Sequence, residues 1–340
     1  METQNQFANQ HPRGTAISPE WLTCVLRDRE WMSPSAPASV IAKTLPEDPS
    51  LRQDTFEGFL AELRFYNELA SKVPLRTPRL YWGQVDSASQ QGLLVLEDFS
   101  FARSGDGVAG CSVAEVEAVL RELGRFHAAG ALPETWSRHP WLPVVREAPS
   151  LEYDRAFRAE LCGPKGDALA ERIPSGLIDV AKAWLEHSSD LRLLARAPWT
   201  LLHGDVRLDN LFFGVDDHPL SLAFIDWQMV QLGPGVLDVA YFLALSLNPD
   251  DRRDSEKILL RAYFDELTRT DQRHPYSFEA LWADYRKSLL AIVVRLVAVG
   301  MAFPFDGERD SKLFRAAFGR LDRVATDHQL NQVLNETLHG

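Results

Sequence analysis

The chain has 340 residues, of which 45% are apolar and 25% are charged, and its formal net charge is −12. This length and composition are those of a globular protein that can bury a core, and they exclude a disordered, collagen-like or disulfide-stapled chain. The acidic balance argues against a nucleic-acid backbone as the main partner, because such binding depends on clustered cations.

The cysteines and the apolar segments of the chain indicate the cellular compartment of the protein. Cys24, Cys111 and Cys162 form no CxxC or Cys/His spacing, so we expect buried thiols in a reducing compartment. The polar start METQNQFANQHPRG lacks the apolar stretch of a secretory signal. The apolar run at 288–303 is shorter than the ~20 residues that cross a bilayer and contains Arg295. We therefore expect a cytoplasmic protein with no membrane partner, in which this run is a buried helix.

The first hundred residues predict a helix, a strand, a second helix and two further strands. Ser18 and Pro19 provide a cap and a first-turn proline for the first helix. The β-branched run SVIAKTL at 39–45 predicts a strand, and the apolar spacing of residues 55–70 predicts a helix. The segments PRLYWGQV and GLLVLEDF, which a polar turn separates, predict two more strands within residues 78–99.

From Ser112 onward the pattern is mostly helical. Ser112 and Glu115 have the spacing of a capping box, and the apolar period that follows predicts a helix that ends near Gly130. Segments 233–236 and 249–256 are predicted to be loops from their glycine, proline and acidic content. Near the C-terminus one apolar stripe predicts a core-facing helix, and it consists of Leu313, Phe314, Ala317, Phe318, Leu321 and Val324.

The segment LLHGDVRLDNLFFGVDDHPLSLAFIDW, residues 201–227, is the densest local signal in the chain. NLFFG and SLAFID are strand-like and VDDHP between them is turn-like, so we predict a β-hairpin. Because the start of one antiparallel strand lies near the end of the other, the pairing places Asn210 beside Asp226. Asp205 lies on the loop that enters the hairpin, so three oxygen-bearing side chains are expected to converge.

This set of side chains suits a magnesium-nucleotide site. Mg²⁺ prefers oxygen donors and usually takes one or two protein carboxylates together with substrate phosphates. A carboxylate that is free of the metal can accept a proton from an attacking hydroxyl. Taken singly, Asp205, Asp209 and Asn210 also read as turn and cap residues, and Asp226 as the end of a strand. The joint HGD-x4-N and IDW pattern favours the site.

HGDVRLDN followed by FIDWQ resembles the Brenner-type catalytic segment of the aminoglycoside phosphotransferase and choline kinase superfamily. AKTLP, FEGFLAELRFYNEL, RTPRLYWG, LLVLEDF and FIDWQMVQLGPGVLDVAYFL look most like its ecdysteroid-kinase-like and bacterial small-molecule phosphotransferase branches. The resemblance covers residues 39–300. It implies an α+β, protein-kinase-like fold with two lobes. A nucleotide-binding lobe at 1–100 is expected to hold a small antiparallel sheet with a helix, and a larger, mostly helical lobe at 101–340 is expected to bind the acceptor.

Roles for the residues of the hairpin segment follow from this resemblance. Asp205 matches the catalytic base of the family, and Asn210 and Asp226 match its two magnesium ligands. Asp238 matches the buried aspartate that braces the catalytic loop. Arg207 is placed like the basic residue that touches the transferred phosphate in protein kinases, with surface pairing as the alternative.

In the same resemblance the first lobe supplies the nucleotide-binding residues. Lys43 matches the lysine that holds the α and β phosphates, and Glu62 matches its helix partner; an exposed strand position is the alternative for Lys43. Helical geometry favours the same glutamate, because Glu62 borders the apolar arc of its helix and the neighbouring glutamates point away. The segment around Glu97, Asp98 and Phe99 resembles the hinge whose backbone groups hydrogen-bond the adenine.

The chain departs from the family pattern before the lysine strand. Family members carry two strands joined by a phosphate-covering loop at this point. Between Asp28 and Ser39 this chain has only REWMSPSAPA, which contains no glycine and no strand alternation. We therefore predict that this first hairpin is missing, which removes backbone donors for phosphates and leaves the lysine strand as an open edge.

These residues together predict an ATP- and Mg²⁺-dependent phosphotransferase that acts on a hydroxyl of a small-molecule acceptor. The alternative is a catalytically impaired, kinase-like nucleotide-binding or regulatory protein, which the missing hairpin motivates; a hydrolase that uses the same acidic cluster is a third reading. Trp282, Tyr285, Phe303 and Phe305 offer aromatic surface for a largely apolar alcohol, with core packing as their alternative. The identity of the acceptor, the choice between ATP and GTP, and the oligomeric state stay open.

Overall fold

The computed structural model describes residues 37–130, 138–145, 151–186, 198–219, 221–269, 276–302 and 307–339. The helix predicted at Ser18, together with Cys24, Phe303 and Phe305, lies outside these ranges. Within them the chain forms small antiparallel sheets and a larger set of helices, which confirms the predicted α+β fold class.

A three-stranded antiparallel sheet forms the first part of the fold. It consists of β1 (Val40–Thr44), β2 (Leu80–Asp86) and β3 (Gln91–Glu97), in the order β1-β3-β2. These are the strands that the sequence predicts. The central strand β3 is buried over residues 92–96, which explains its continuous apolar run.

Helix α1 (Pro49–Glu68) follows β1 and packs against the sheet. Its first turn is fixed by Asp48, whose carboxylate accepts hydrogen bonds from the backbone amides of Ser50 and Leu51. The helix therefore begins at Pro49 rather than at residue 55, where its apolar spacing first becomes visible. Its buried face consists of Phe56, Phe59, Glu62, Phe65 and Tyr66.

Strand β1 pairs with β3 alone within the described residues, so its other side is an edge of the sheet there. The hairpin that we predict to be missing would precede residue 39. Because the described ranges begin at residue 37, the absence of this hairpin stays a prediction.

The rest of the chain is mostly helical, as predicted. Its helices are α2 (Val113–Gly130), α3 (Leu151–Leu161), α4 (Pro164–Ala170), α5 (Ser175–Glu186), α6 (Val236–Ser246), α7 (Pro249–Thr268), α8 (Phe278–Ala302), α9 (Glu308–Asp327) and α10 (Leu330–His339). The capping box of α2 is present, since the Ser112 amide donates to the Glu115 carboxylate at 2.8 Å and the Glu115 amide donates to Ser112 Oγ at 3.3 Å. The long apolar run lies in α8, and no helix of the described ranges is long and apolar enough to cross a membrane.

Two segments predicted to be loops are regular structure instead. Strand β8 (Gln231–Pro234) covers part of the first segment and pairs with β5 (Trp199–Leu202), a strand that the sequence pattern did not reveal. Residues 249–256 open α7, where the Asn248 side chain caps the helix and Pro249 occupies its first turn. The acidic residues that suggested a loop lie at the helix N-terminus, where negative charge is favourable.

The hairpin predicted in the catalytic segment is present. Strand β6 (Leu211–Phe213) pairs antiparallel with β7 (Leu222–Phe224), and β4 (Arg103–Ser104) adds a third strand beside β6. The Ile225 amide donates to the Asn210 carbonyl oxygen at 3.0 Å. The residues that open and close the hairpin are therefore neighbours, as their spacing predicted.

The C-terminal helices close the core. The predicted stripe of α9 buries Phe314, Phe318, Leu321 and Val324.

The expectation of buried thiols is wrong for Cys162, which is exposed. Cys111 is partly buried, and burial raises the pKa of its thiol to about 12.

Candidate active site

Lys43 on β1 lies between two carboxylates from distant parts of the chain. Its Nζ is 2.6 Å from Oε2 of Glu62 on α1 and 2.7 Å from Oδ1 of Asp226, which follows β7. Glu62 is fully buried, whereas the side chains of Lys43 and Asp226 keep exposed fractions of 30% and 21%. One ammonium group thus links the sheet, the helix and the end of the hairpin.

The charges of these three groups depend on one another. Burial opposes the charged form of Lys43, but the carboxylates of Asp226 and Glu62 outweigh it and raise the pKa of the lysine above its ordinary value. Burial raises the pKa of Glu62 against the lowering effect of Lys43. The pKa of Asp226 is lowered, because the attraction of Lys43 exceeds the opposing effect of burial. Lys43 and Asp226 are therefore a charged pair at neutral pH.

The backbone at Asp226 is left-handed, with φ 67° and ψ 67°. Residues other than glycine adopt this conformation rarely, and they persist in it where the surroundings hold them. The next residue, Trp227, is fully buried, stacks on Phe65 of α1 with ring centroids 3.8 Å apart, and donates its backbone N–H to Oε1 of Glu62 at 3.3 Å. This packing fixes the turn that brings Asp226 to Lys43.

Asp205 and Asn210 are joined at the entry to the hairpin. Asn210 is buried, and its Nδ2 donates to the Asp205 backbone carbonyl at 2.9 Å and to Asp205 Oδ2 at 3.0 Å. The turn between them is a short 3-10 helix over Leu208–Asn210. Both of these contacts come from the amide nitrogen of Asn210, and the amide oxygen Oδ1 is the acceptor atom of that side chain.

Asp238 braces the loop that carries Asp205. Its Oδ2 accepts the backbone N–H of His203 at 2.8 Å, and its Oδ1 accepts that of Gly204 at 3.0 Å. His203 is fully buried, with Nε2 3.0 Å from the Ile225 carbonyl oxygen. These contacts tie the start of the loop to the N-terminal turn of α6 and to the end of β7.

Arg207 lies between two carboxylates of the same loop. Its Nε is 3.3 Å from Oδ2 of Asp205, and its Nη1 is 3.8 Å from Oδ2 of Asp209. Burial opposes its charge, but these aspartates raise the pKa of the guanidinium above its ordinary value. The Arg207 side chain is 30% exposed, so it is neither fully solvated at the surface nor buried in the core.

At the segment that resembles a hinge, several groups already have partners. The Glu97 carboxylate accepts from the Arg76 guanidinium, with one contact at 2.9 Å, and the Glu97 amide donates to the Arg79 carbonyl oxygen at 2.9 Å. Asp98 caps its own turn through the Ser100 amide at 2.7 Å. Phe99 is buried. The Glu97 N–H is therefore already used within the fold.

One residue that the sequence argument did not assign to the site contacts Asp205. Arg295 of α8 donates from Nη1 to the Gly204 carbonyl oxygen at 2.6 Å and from Nη2 to Asp205 Oδ1 at 3.1 Å. Its guanidinium lies 4.5 Å from the ring centroid of Tyr241, a buried residue of α6. The signal for Arg295 was its position as a lone cation in an apolar run.

Two of the aromatic residues expected to bind the acceptor, Trp282 and Tyr285, lie within the described ranges. Tyr285 is fully buried and donates its hydroxyl to Glu256 of α7. Trp282 packs against the same region, with its ring centroid 5.6 Å from that of His328 and Lys257 Nζ 4.9 Å from its ring. Tyr285 is thus a core residue, as its core-packing alternative predicted, and Trp282 is partly buried against the same core.

The donor set at the hairpin end fits a magnesium ion. Asp226 contributes a carboxylate and Asn210 an amide oxygen, and both are hard oxygen donors on neighbouring residues of the hairpin ends. No cluster of three or more His, Cys, Asp or Glu side chains that could hold a metal occurs within the described ranges. One carboxylate and one amide oxygen suit Mg²⁺, which takes few protein ligands and completes its shell with waters and phosphates.

The chain matches the model of the phosphotransferase enzyme family, APH, over residues 38–276. An uncharacterized kinase-like protein of Caenorhabditis elegans is 26% identical over 237 residues, which are 66% of this chain and 61% of that protein. The aligned part is therefore less than two thirds of the length of this relative.

Solved structures show the same fold at low identity. The GDP and kanamycin complex of APH(2'')-IIIa aligns with a TM-score of 0.56 and 12% identity, over 90% of this chain and 98% of that one. An ethanolamine kinase of Plasmodium vivax aligns with a TM-score of 0.51 and 15% identity, over 86% and 76% of the two chains. The family match spans well over half of the sequence and includes each of the site residues above except Arg295, so this chain belongs to the phosphotransferase enzyme family.

Proposed function

We propose that the protein is an ATP- and Mg²⁺-dependent phosphotransferase that transfers the γ-phosphoryl group to a hydroxyl of a small molecule. In this proposal residues 1–100 form the nucleotide-binding lobe, and residues 101–340 form the lobe that carries the catalytic loop and binds the acceptor. The protein acts without a nucleic-acid or membrane partner and in the cytoplasm.

One observation carries the proposal: Lys43 Nζ contacts Glu62 and Asp226 at once, at 2.6 and 2.7 Å. A lysine held by a buried glutamate is positioned to bind phosphates, because the glutamate fixes the ammonium group without neutralising all of its donors. The contact with Asp226 sets this lysine beside the proposed metal ligand. In this proposal the lysine that binds the phosphates and the aspartate that binds the metal are therefore in direct contact.

Asp205 is the proposed catalytic base. It lies at the entry to the hairpin whose other end carries Asp226, and Asn210 holds its backbone and its carboxylate. A carboxylate fixed in this way orients an acceptor hydroxyl for attack and takes its proton. Arg207, whose Nε lies 3.3 Å from Asp205 Oδ2, is the proposed contact of the transferred phosphoryl group.

Asn210 and Asp226 are the proposed magnesium ligands, and the backbone around Glu97, Asp98 and Phe99 is the proposed adenine site. Bound Mg²⁺ would neutralise negative charge on the phosphates. The protein residues supply the remaining stabilisation by position: Lys43 and Arg207 bring positive charge to the region where the phosphates bind, and Asp238 keeps the loop in place.

A thermal-shift titration tests the proposal. Purified protein is titrated with ATP and with GTP, each with MgCl₂ and with EDTA, because nucleotide binding to the folded state raises the melting temperature. A ligand at about 100 times its Kd stabilises by ~2.7 kcal/mol. We expect a rise with Mg·ATP, a smaller rise in EDTA, and loss of this difference in Asp226→Ala. The matched control is Asp217→Ala, which changes an exposed aspartate in the turn of the same hairpin.

Transfer itself is then followed with γ-labelled ATP and a panel of hydroxyl compounds that includes apolar alcohols, aminoglycosides and choline. Labelled product supports the phosphotransferase. Mg·ATP binding with no transfer to any compound or to water would instead support the impaired, nucleotide-binding alternative. An absence of any nucleotide-dependent shift would contradict both.

A further inference from the structure

Arg295 is an unusual residue for its place in the fold. It lies within α8, whose surrounding residues are mostly apolar, and its side chain is 33% exposed. A guanidinium in such a position loses hydration, so it persists where other groups satisfy it. Its two terminal nitrogens find partners on one loop, with Nη1 on the Gly204 carbonyl oxygen at 2.6 Å and Nη2 on Asp205 Oδ1 at 3.1 Å.

These contacts complete a clamp on both oxygens of the Asp205 carboxylate. Arg295 holds Oδ1 at 3.1 Å, and Asn210 holds Oδ2 at 3.0 Å. The residue before it is held on both sides as well, because the Gly204 N–H donates to Asp238 and its carbonyl oxygen accepts from Arg295. Rotation of the carboxylate would break at least one of these contacts.

The planar guanidinium group of arginine has the geometry that the contacts with Gly204 and Asp205 require. Two parallel N–H donors at a fixed spacing can contact a carbonyl and a carboxylate oxygen together, whereas a lysine ammonium offers a point charge without that geometry. The contact with Tyr241 restrains the plane further, since the guanidinium lies 4.5 Å from the ring centroid. The orientation of the fork is thus set by α6 as well as by α8.

We infer that Arg295 is a positioning residue for phosphoryl transfer, which fixes the Asp205 carboxylate and the Gly204 peptide from α8. This inference rests on the proposed role of Asp205 as the base. Arg295 acts through Asp205 and not by binding nucleotide, so its removal lowers kcat and leaves the KM for ATP unchanged. Misplacement of a reacting group by about 1 Å costs on the order of 10²-fold in rate, and we expect a loss of this size for Arg295→Ala.

The chain offers a matched control. Arg309 of α9 forms an ion pair with Asp209 on the same loop, at 2.9 Å, and its side chain is 51% exposed. Arg309→Ala therefore removes an arginine–carboxylate pair from the loop without touching Asp205. We expect its kcat to equal that of the wild type within about twofold, since exposed pairs contribute little.

The test compares the wild type with Arg295→Ala, Arg295→Lys, Arg309→Ala and Asp205→Asn. Transfer of label from γ-labelled Mg·ATP is measured to water and to the best acceptor of the panel, with kcat and the KM for ATP determined separately. Methylguanidine is then added at millimolar concentrations. We expect it to restore part of the kcat of Arg295→Ala and to change none of the other variants. Only Arg295→Ala has both lost the guanidinium at Asp205 and left space for a free one, since the lysine side chain of Arg295→Lys still fills that space.

Four outcomes are decisive. Wild-type kcat in both Arg295 variants, with Asp205→Asn inactive, would overturn the inference and leave the proposed function standing. A lower melting temperature with loss of ATP binding and no rescue would assign Arg295 a purely structural role and would also overturn it; Arg295→Lys decides if the alanine variant does not fold. Full turnover in Asp205→Asn, or no transfer by the wild type, would overturn the proposed function itself. Rescue specific to Arg295→Ala would establish the positioning role.

Discussion

Lys43 and Asp226 are 183 positions apart in the sequence, yet the lysine Nζ lies 2.7 Å from the aspartate Oδ1. The contact is made across the sheet edge and the hairpin end, and Glu62 completes it from α1. Three elements that share no local sequence are therefore joined at the point where we propose that nucleotide and metal bind.

Removal of Lys43 is expected to weaken both nucleotide binding and the fold. In Lys43→Ala the carboxylates of Glu62 and Asp226 lose their shared cation, and a buried group left unsatisfied costs about 1–3 kcal/mol. The free energy of unfolding in urea should fall by this amount, and calorimetric titration should show weaker ATP binding. Lys72→Ala, which removes an exposed lysine, serves as control and should change neither quantity. Unchanged ATP affinity in Lys43→Ala would exclude the proposed phosphate-binding role.

Asp205→Asn should abolish phosphoryl transfer and leave Mg·ATP binding nearly intact. The carboxamide keeps the shape of the side chain but cannot accept the proton, and loss of such a base typically lowers the rate about 10²- to 10⁴-fold. Single-turnover transfer and calorimetric ATP binding are measured on the same preparations. Asp217→Asn, in the exposed turn of the hairpin, is the matched control and should behave as the wild type. Full turnover by Asp205→Asn would remove it from the catalytic assignment.

Gly204→Ala should destabilise the catalytic loop. The residue has φ 80°, and a Cβ there would lie 2.1 Å from the Met229 carbonyl oxygen, which is backbone and cannot move aside alone. We expect a loss of more than ~1 kcal/mol in the free energy of unfolding. Gly319→Ala gives a control of opposite sign, because that glycine lies exposed within α9 with no atom within 4 Å of a Cβ. Removing a mid-helix glycine should stabilise by about 0.5–1 kcal/mol.

A second buried charge cluster sets the acid stability of the helical part. Glu256 accepts from Arg252 Nη1 at 2.8 Å, lies 2.9 Å from His328 Nε2 and accepts the Tyr285 hydroxyl. Burial opposes ionisation, but these contacts outweigh it and hold the pKa of Glu256 below its ordinary value of 4.5. Because the folded-state pKa is the lower one, the stabilisation is present above about pH 4.5 and is lost as the pH falls below 4.5 and through the folded-state pKa.

Glu256→Gln should therefore be less stable than the wild type at pH 7, by about 1–3 kcal/mol, because the buried Arg252 loses one of its two carboxylate partners and keeps only Asp327. The difference in the free energy of unfolding should narrow below pH 4.5, as the wild-type carboxyl becomes protonated. Urea unfolding at a series of pH values measures both effects. Asp254→Asn changes an exposed carboxylate of the same helix and should be neutral throughout. If the difference in the free energy of unfolding between the two proteins stayed constant across the pH range, ionised Glu256 would not be the source of the stabilisation.

Local chemistry allowed much of the site to be read from the sequence. The hairpin follows from two short strands around a turn, and its register then places Asn210 next to the residue that precedes Asp226. Glu62 follows from the helical period, because one face of a helix is visible in its own spacing. The start of α7 could also have been recognised, since Asn248 and Pro249 form a cap signal that the acidic residues obscured.

Only the tertiary structure decided the partners of these residues. The pairing of β5 with β8 joins strands of four residues each that carry no alternation, so their own pattern could not reveal them. Arg295 meets Asp205 across 90 positions because of the way α8 packs against α6, and its sequence context indicates only that a cation is embedded in an apolar helix. Tyr285 is likewise an aromatic residue in the sequence and a buried donor to Glu256 in the fold. The sequence by itself determined which groups are available and which local elements carry them. Their contacts depend on long-range packing, which no local spacing encodes.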